Sequence, residues 1–325
     1  MANAKIVGLG HYIPEKIYDN AYMESIVDTN DEWITRRTGI KERHISEADE
    51  YTSDMAAKSA ELAIKDAGMT PEDIDLILLA TVTPDYFTPS TACVVQGKIG
   101  AINAMALDYN AACSGFVVGM IMADQFIKSG AYKNVLVIAA DALSKATDYK
   151  DRATCVLFGD AAGAAVVSAT DEPGIISFDM GADGTGSDAI TSLAFRKDAE
   201  EIEKRIGGKK ETIWMAGQSV MKFAVKAMAD SSQRALEKAG LTYDDIALVV
   251  PHQANYRIVD SAIKRMGISS DKVILTIQKY GNTSASCIPV ALHEAVATGR
   301  VKKGDKVVLV GFGGGLTYAA CVTEL

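Results

Sequence analysis

The stretch with the clearest chemical potential is Met105-Ala-Leu-Asp-Tyr-Asn-Ala-Ala-Cys113-Ser-Gly-Phe-Val-Val-Gly-Met-Ile-Met-Ala123. A short apolar approach ends in small residues, presents one cysteine, and runs into a helix too apolar to face water. At a helix N-terminus the unpaired backbone N–H groups and the dipole favour the thiolate, which is the attacking form. The same description fits an inert core thiol, because free cysteine is among the most buried residue types. Cys113 is therefore a candidate nucleophile that needs partners.

Comparing the chain with itself supplies them. Residues 63–76 (Ala-Ile-Lys-Asp-Ala-Gly-Met-Thr-Pro-Glu-Asp-Ile-Asp-Leu) recur as 235–248 (Ala-Leu-Glu-Lys-Ala-Gly-Leu-Thr-Tyr-Asp-Asp-Ile-Ala-Leu), an offset of 172 residues. At that offset Val135–Ile138 falls on Val307–Val310, and Cys113 falls on Ala285 within Gly281-Asn282-Thr-Ser-Ala-Ser-Cys-Ile-Pro289. One offset shared by separated segments implies two copies of one unit, 1–172 and 173–325, packed about a pseudo-twofold axis. Loops equivalent to the cysteine turn then converge on one site. In the second half the run Ile246–Pro251 ends at His252, and the loop equivalent to the cysteine turn carries Asn282. The last strand ends in Gly311-Phe312-Gly313-Gly314-Gly315, where bare backbone offers N–H groups at close range. Each has a plain structural use as well: a core imidazole, a helix N-cap, a tight turn.

The elements that must hold these residues alternate in type. Apolar runs over 74–82 and 133–141 read as strands covered on both faces, and Ala4–Gly10 as a third; helical periodicity spans 53–67, ending at Gly68, and 90–99. This is an α/β fold with a mostly parallel sheet. Residues 193–213 are charged and lysine-rich, an expected exposed excursion that leads into a strand over 214–217. Near the N-terminus, Trp33, Arg36, Arg37, Lys41 and Arg43 stand close together. An indole with guanidinium forks suits a ligand carrying both a planar ring and phosphate, and an ordinary solvated basic surface has the same composition.

Composition bounds the function. The chain has 325 residues, 48% hydrophobic and 23% charged, enough for a large core. No apolar run approaches the roughly 18 residues of a membrane span, and no secretory leader is recognisable, so a cytoplasmic protein with no membrane partner is expected. The five cysteines are scattered without a C-x-x-C pair, against a disulfide framework or a metal site. A net charge of −9 argues against nucleic acid.

Read together, Asp108-Tyr-Asn-Ala-Ala-Cys113-Ser-Gly-Phe116, Pro251-His-Gln-Ala-Asn-Tyr-Arg257, Tyr280-Gly-Asn-Thr-Ser-Ala-Ser286 and Gly311-Phe-Gly-Gly-Gly-Leu-Thr317 closely resemble the β-ketoacyl-acyl carrier protein synthases III. These are the initiating condensing enzymes of bacterial type II fatty acid synthesis. Asp31-Glu-Trp-Ile-x-x-Arg-Thr-Gly-Ile40 and Asp151-Arg152 with Leu157-Phe-Gly-Asp160 extend the likeness, which runs from about Ile6 to the C-terminus. A Cys-His-Asn set separates this branch from elongating synthases with Cys-His-His and from hydroxymethylglutaryl-CoA synthases with a site glutamate.

The resemblance implies a thiolase-like fold of five layers, α-β-α-β-α, made of two duplicated halves and forming a homodimer. It implies that Cys113 is acylated by a short acyl-CoA and that His252 and Asn282 serve the decarboxylation of malonyl-acyl carrier protein. The N–H groups of Cys113 and Gly314 would form an oxyanion hole, and no cofactor is required beyond acyl-CoA as substrate. Trp33, Arg37, Thr38 and Arg152 match positions that bind the adenine and phosphate end of CoA, Gly217 and Asn255 the pantetheine tunnel. Residues Gln253, Ala254, Asn255, Tyr256 and Arg257 match the region linked with docking the acidic carrier protein, with Lys222 adjoining. Phe312 and Thr88 correspond to the acyl pocket; acetyl-specific relatives carry phenylalanine in place of Thr88, facing the partner subunit's pocket, so a longer or branched starter has room here. A synthase primed by long acyl chains and a non-catalytic acyl-CoA binder are the rival expectations.

Overall fold

The computed structural model describes residues 2–192 and 212–325, so the charged segment lies outside the described residues apart from its last two positions. The first half holds strands β1 (Asn3–Tyr12), β2 (Lys16–Asp19), β3 (Glu42–Ile45), β4 (Leu76–Ala80), β5 (Met105–Tyr109), β6 (Asn134–Asp141) and β7 (Ala161–Thr170). Its helices are α1 (Asn20–Ile26), α2 (Asp31–Thr38), α3 (Thr52–Asp66), α4 (Thr91–Ile99), α5 (Gly115–Lys128) and α6 (Arg152–Cys155). The second half holds β8 (Ile175–Ala182), β9 (Ile190–Thr191), β10 (Trp214–Met215), β11 (Leu248–Pro251), β12 (Lys306–Gly313) and β13 (Thr317–Glu324). With them come α7 (Gly217–Ala239), α8 (Tyr256–Met266), α9 (Ile277–Tyr280) and α10 (Cys287–Ala297).

The two apolar runs became β4 and β6, and the two periodic stretches became α3 and α4, each displaced by one residue. The strand expected over 214–217 is shorter: only Trp214 and Met215 pair, with Thr191 and Ile190, and Gly217 already opens α7.

Two sheets form, with orders β1-β7-β6-β4-β5 and β11-β12-β13-β8. In both, one corresponding pair is parallel (β4 with β6, β11 with β12) and the next partner antiparallel (β7, β13), so the sheets are mixed where a mostly parallel sheet was expected. Side-chain alternation along the strands then builds the layers. From β4, Leu76 and Leu78 point into a core shared with α5, α10, and Leu248, Val250, Val307 and Leu309 of the second sheet. Ile77 and Leu79 point the other way, against α3 and α4. On the far side, Val249, Val308 and Val310 pack under α7 and α8. The result is the expected α-β-α-β-α stack. Because α5 and α10 lie between the sheets in one continuous core, neither half buries its inner face without the other.

The duplication extends to detail. Thr70 and Thr242, again 172 apart, each give N–H and Oγ1 bonds to an aspartate three residues on, Asp73 and Asp245. The fifth strand is the exception. Residues equivalent to β5 form the helical turn α9, and the pairing shrinks to one parallel bridge between Val249 and Val273.

Candidate active site

Cys113 sits in a single 3-10 turn, Ala112–Ser114, that feeds directly into α5. The turn is tied down on both sides: Ala112 N–H donates to Asn110 Oδ1 at 3.0 Å, and Thr317 Oγ1 donates to the Ala111 carbonyl at 2.9 Å. The end of β12 presses against it. A Cβ added to Gly313 would lie 2.5 Å from the Cys113 nitrogen and 2.8 Å from Ala112 Cβ, so only glycine lets strand and turn approach this closely.

His252 follows β11 and is 1% exposed; its N–H donates to Val310 of β12 at 2.8 Å and its ring meets Phe312 edge-on at 5.2 Å. Its Nδ1 lies 2.9 Å from Cys287 Sγ. Asn282 is held by its backbone, donating to the Leu157 carbonyl (2.8 Å) and accepting from Gly159 (3.1 Å). That segment is anchored by buried Asp160, which accepts from the backbone N–H and hydroxyl of both Ser46 and Ser144. The Asn282 side-chain oxygen accepts from Ser284 N–H at 2.9 Å, leaving the amide Nδ2 as the group with donor capacity.

Charge at this site is governed by burial. Desolvation lowers His252 to about 3, so its imidazole is neutral. Burial also pushes the Cys113 thiol up to about 12; the Ser284 hydroxyl opposes this and the charge of Asp141 adds to it. Burial thus opposes the preference for thiolate expected from the helix N-terminus. Asp141 itself, at the end of β6, is raised to about 6 by burial although Oδ1 accepts from Thr81, Val82 and Thr83.

One cavity of about 1340 Å³ is lined by Cys113, His252, Asn282, Phe312 and Gly314 together with Trp33, Arg37, Thr38, Gly217, Ala254, Asn255 and Arg257. Trp33 belongs to α2, a helix whose ends are fully specified: Asn30 caps it by accepting from Trp33 N–H, Asp31 and Glu32 fill the first turn, Arg36 and Arg37 the last, and Gly39 closes it at φ +79°. Arg152 stands at the rim, its guanidinium 4.9 Å from the Trp33 ring centre, with that of Arg37 at 5.4 Å.

Other sequence assignments land elsewhere. Gln253 is fully buried, its amide donating to the Pro251 and Ile274 carbonyls and accepting from the Thr276 and Ile277 N–H groups. It braces the loop and is not available to a docking protein, and Ala254 is also buried. Asn255 caps α8, accepting from Arg257 N–H, while Tyr256 and Arg257 are exposed. Thr88 is exposed and outside the cavity of its own chain, whereas its neighbours Tyr86 and Phe87 line the mouth. Sequence reasoning missed Asn110, Asp141, Ser284 and Cys287. The 172-residue offset does pair Asn110 with Asn282, a signal available from the start.

Two family descriptions match the chain: 3-oxoacyl-[acyl-carrier-protein (ACP)] synthase III over residues 107–184, and the C-terminal part of the same family over 236–325. The beta-ketoacyl-[acyl-carrier-protein] synthase III of Clostridioides difficile (strain 630) is 54% identical over 321 residues, covering 99% of this chain and 98% of that protein. That of Clostridium acetobutylicum is 50% identical over 325 residues, covering 100% and 99%. The crystal structure of 3-oxoacyl-[acyl-carrier-protein] synthase III from Aquifex aeolicus VF5 superposes with a TM-score of 0.93 at 44% identity, covering 99% of this chain and 100% of the other. With likeness of sequence and fold extending over its full length, the chain belongs to the β-ketoacyl-[acyl-carrier-protein] synthase III family.

Proposed function

We propose that this protein condenses an acyl-CoA starter with malonyl-acyl carrier protein, giving 3-oxoacyl-acyl carrier protein, CoA and CO2, and so initiates fatty acid synthesis. It is an acyltransferase of the condensing type. The observation that carries the assignment of roles is the convergence of Cys113, His252 and Asn282 on one cavity that Trp33 and Arg37 also line.

In the first half-reaction the Cys113 sulfur attacks the thioester carbonyl. The thiol proton ends on the departing CoA sulfur, which leaves acyl-Cys113. One slot then serves two substrates in turn, a ping-pong scheme. In the second, loss of CO2 from the malonyl thioester places negative charge on its carbonyl oxygen. Neutral His252, through Nε2–H, and the Asn282 amide donate to that oxygen. No base is needed, since CO2 departs where a proton otherwise would. The carbanion attacks the acyl-Cys113 carbonyl, whose oxyanion takes the N–H groups of Cys113 and Gly314; collapse frees the sulfur, which regains a proton from solvent.

Trp33, Arg37, Thr38 and Arg152 serve the nucleotide end of CoA, Gly217 and Asn255 its pantetheine arm, and Phe312 the acyl group. Tyr256, Arg257 and Lys222 offer an exposed, partly basic surface for an acidic carrier protein. The functional unit is a homodimer in this reading: β5 is an unpaired sheet edge, flanked by exposed Tyr86, Phe87, Ile102 and Met105. This would bring Thr88 to the partner's pocket. Five free cysteines suit a reducing cytoplasm, and no helix among the described residues is long and apolar enough to cross a membrane.

Intact-protein mass spectrometry after incubation with acyl-CoAs from acetyl upward tests the reading. Acetyl or short branched adducts on Cys113, absent in Cys113→Ala, are expected; labelling by long chains alone would overturn the starter class, and no adduct would overturn the nucleophile.

A further inference from the structure

The decarboxylation step demands one particular tautomer of His252. A neutral imidazole donates from only one nitrogen, and the nitrogen facing the substrate must be the one that carries the proton. What sets this choice is the partner of the other nitrogen. Here that partner is a second thiol: Cys287 Sγ, 2.9 Å from Nδ1, in a site that is 1–2% exposed. The same sulfur accepts from the backbone N–H of Gln253 at 3.2 Å.

We infer that Cys287 is the positioning residue for His252: its S–H donates to Nδ1, which keeps the proton on Nε2, where the developing enolate needs it. With S–H donating to Nδ1 and one lone pair accepting from the Gln253 N–H, both close contacts of Sγ are satisfied at once. Burial holds that proton in place, pushing the Cys287 thiol well above its ordinary range. The pair is an addition of the second half. At the 172-residue offset His252 corresponds to Ala80 and Cys287 to Gly115, and there the backbones lie so close that a Cβ on Gly115 would meet Ala80 Cβ at 2.6 Å. Where the first half packs small residues, the second places an imidazole and a thiol in contact. The backbone of Ser284 also lies beside the imidazole and favours its charged form, as a carbonyl acceptor does.

This inference rests on the condensing role of His252, but its primary readout does not. The chain has four histidines, so ¹⁵N-imidazole resonances of the full-length protein can be assigned with single substitutions. The expected spectrum shows His252 as the Nε2–H tautomer between about pH 5 and 8, unchanged in Cys287→Ser, whose hydroxyl also donates, and shifted toward Nδ1–H in Cys287→Ala. In parallel, Cys287→Ala should still be acylated by acetyl-CoA at the wild-type rate. Its decarboxylation of malonyl-acyl carrier protein should fall roughly 10–100-fold, the range for loss of a group that orients a histidine, and Cys287→Ser should recover most of it. An Nδ1–H tautomer in the wild type overturns the inference, whatever the activity. So does Cys287→Ala with unchanged tautomer and unchanged condensation. Should Cys287→Ala not fold, the wild-type and Cys287→Ser spectra decide alone. A wild type that shows the Nε2–H tautomer but decarboxylates no malonyl thioester would sink the proposed function and leave the tautomer assignment standing.

Discussion

Ala112 and Ser284, 172 residues apart, are the two non-glycine residues with positive φ among the described residues, at 45° and 57°. Each N–H donates to the side chain of the asparagine two residues before, Asn110 and Asn282. Each stands just before the residue at the equivalent position of its half: Cys113 in one, Ala285 in the other. The same strained turn thus stands at the mouth of each central helix, followed by Cys113 in one half and preceded by Asn282 in the other. Left-handed backbone costs an L-residue roughly 1–2 kcal/mol, and glycine gives back part of any relief through the entropy of the unfolded chain. Ala112→Gly should therefore unfold in urea within about 1 kcal/mol of wild type, yet be acylated more slowly, because glycine widens the range of backbone conformations open to the turn. Equal acylation rates would show that the turn's geometry does not matter.

Removal of either proposed oxyanion donor should split the two half-reactions. His252→Ala and Asn282→Ala are expected to form acyl-Cys113 from acetyl-CoA near the wild-type rate and to lose malonyl decarboxylation by roughly 10²–10³-fold, about 3–4 kcal/mol. Rapid-quench acylation beside release of labelled CO2 measures both. If either variant condensed at full rate, or failed to acylate, this division of labour would be wrong.

In the same cavity, the indole of Trp33 has two guanidinium groups against its ring, Arg37 and Arg152. Arg152 also reaches the Asp28 carbonyl at 2.9 Å, which holds it over the ring. Trp33→Ala should raise KM for acetyl-CoA roughly tenfold with little change in kcat, as the loss of about 1–2 kcal/mol of stacking requires. Acylation by a truncated acetyl-pantetheine should be indifferent to the substitution. A kcat effect of the same size with the truncated substrate would place Trp33 in the structure of the site rather than in nucleotide binding.

How much of this the sequence discloses depends on the range of the forces involved. The strands and helices were legible because they arise from local patterns, continuous apolar runs at β4 and β6 and a glycine C-terminal to α3, whereas their stacking in five layers came from the resemblance alone. The positions of Cys113, His252 and Asn282 were legible because a duplication forces equivalent loops together. The burial that acts against a Cys113 thiolate was not, because the helix dipole is a local effect that can be read from sequence, while desolvation is set by whatever packs above it. Gln253 was placed on a docking surface by likeness alone, and four hydrogen bonds to backbone put it in the interior instead. The contact between Cys287 and His252 leaves no trace in spacing, since it depends on how β11 and α10 cross.

Asp141 gives the sharpest test of the buried electrostatics. Its carboxyl holds a proton up to about 6 in the folded protein, against 3.8 for an ordinary aspartate, because burial penalises the charge more than the hydrogen bonds from Val82, Thr81 and Thr83 favour it. The folded state therefore binds this proton more tightly than the unfolded chain. That linkage contributes about 3 kcal/mol of stability, fully present below the unfolded value and lost as pH rises from about 4 through about 6. Asp141→Asn keeps an oxygen for Thr81, Val82 and Thr83 and removes the titration. The unfolding free energy of wild type minus variant should thus fall by about 2–3 kcal/mol between pH 4 and 7, read from urea denaturation at fixed temperature. Other carboxylates, such as Asp179 beside Arg234 and Lys238, are shifted down and give the opposite slope, but they cancel in the difference. The same substitution removes a negative charge that raises the Cys113 thiol, so alkylation of Cys113 by iodoacetamide should rise at lower pH in the variant. A flat stability difference together with an unmoved alkylation profile would mean that burial leaves the Asp141 carboxyl at its ordinary value and that its charge does not act on Cys113.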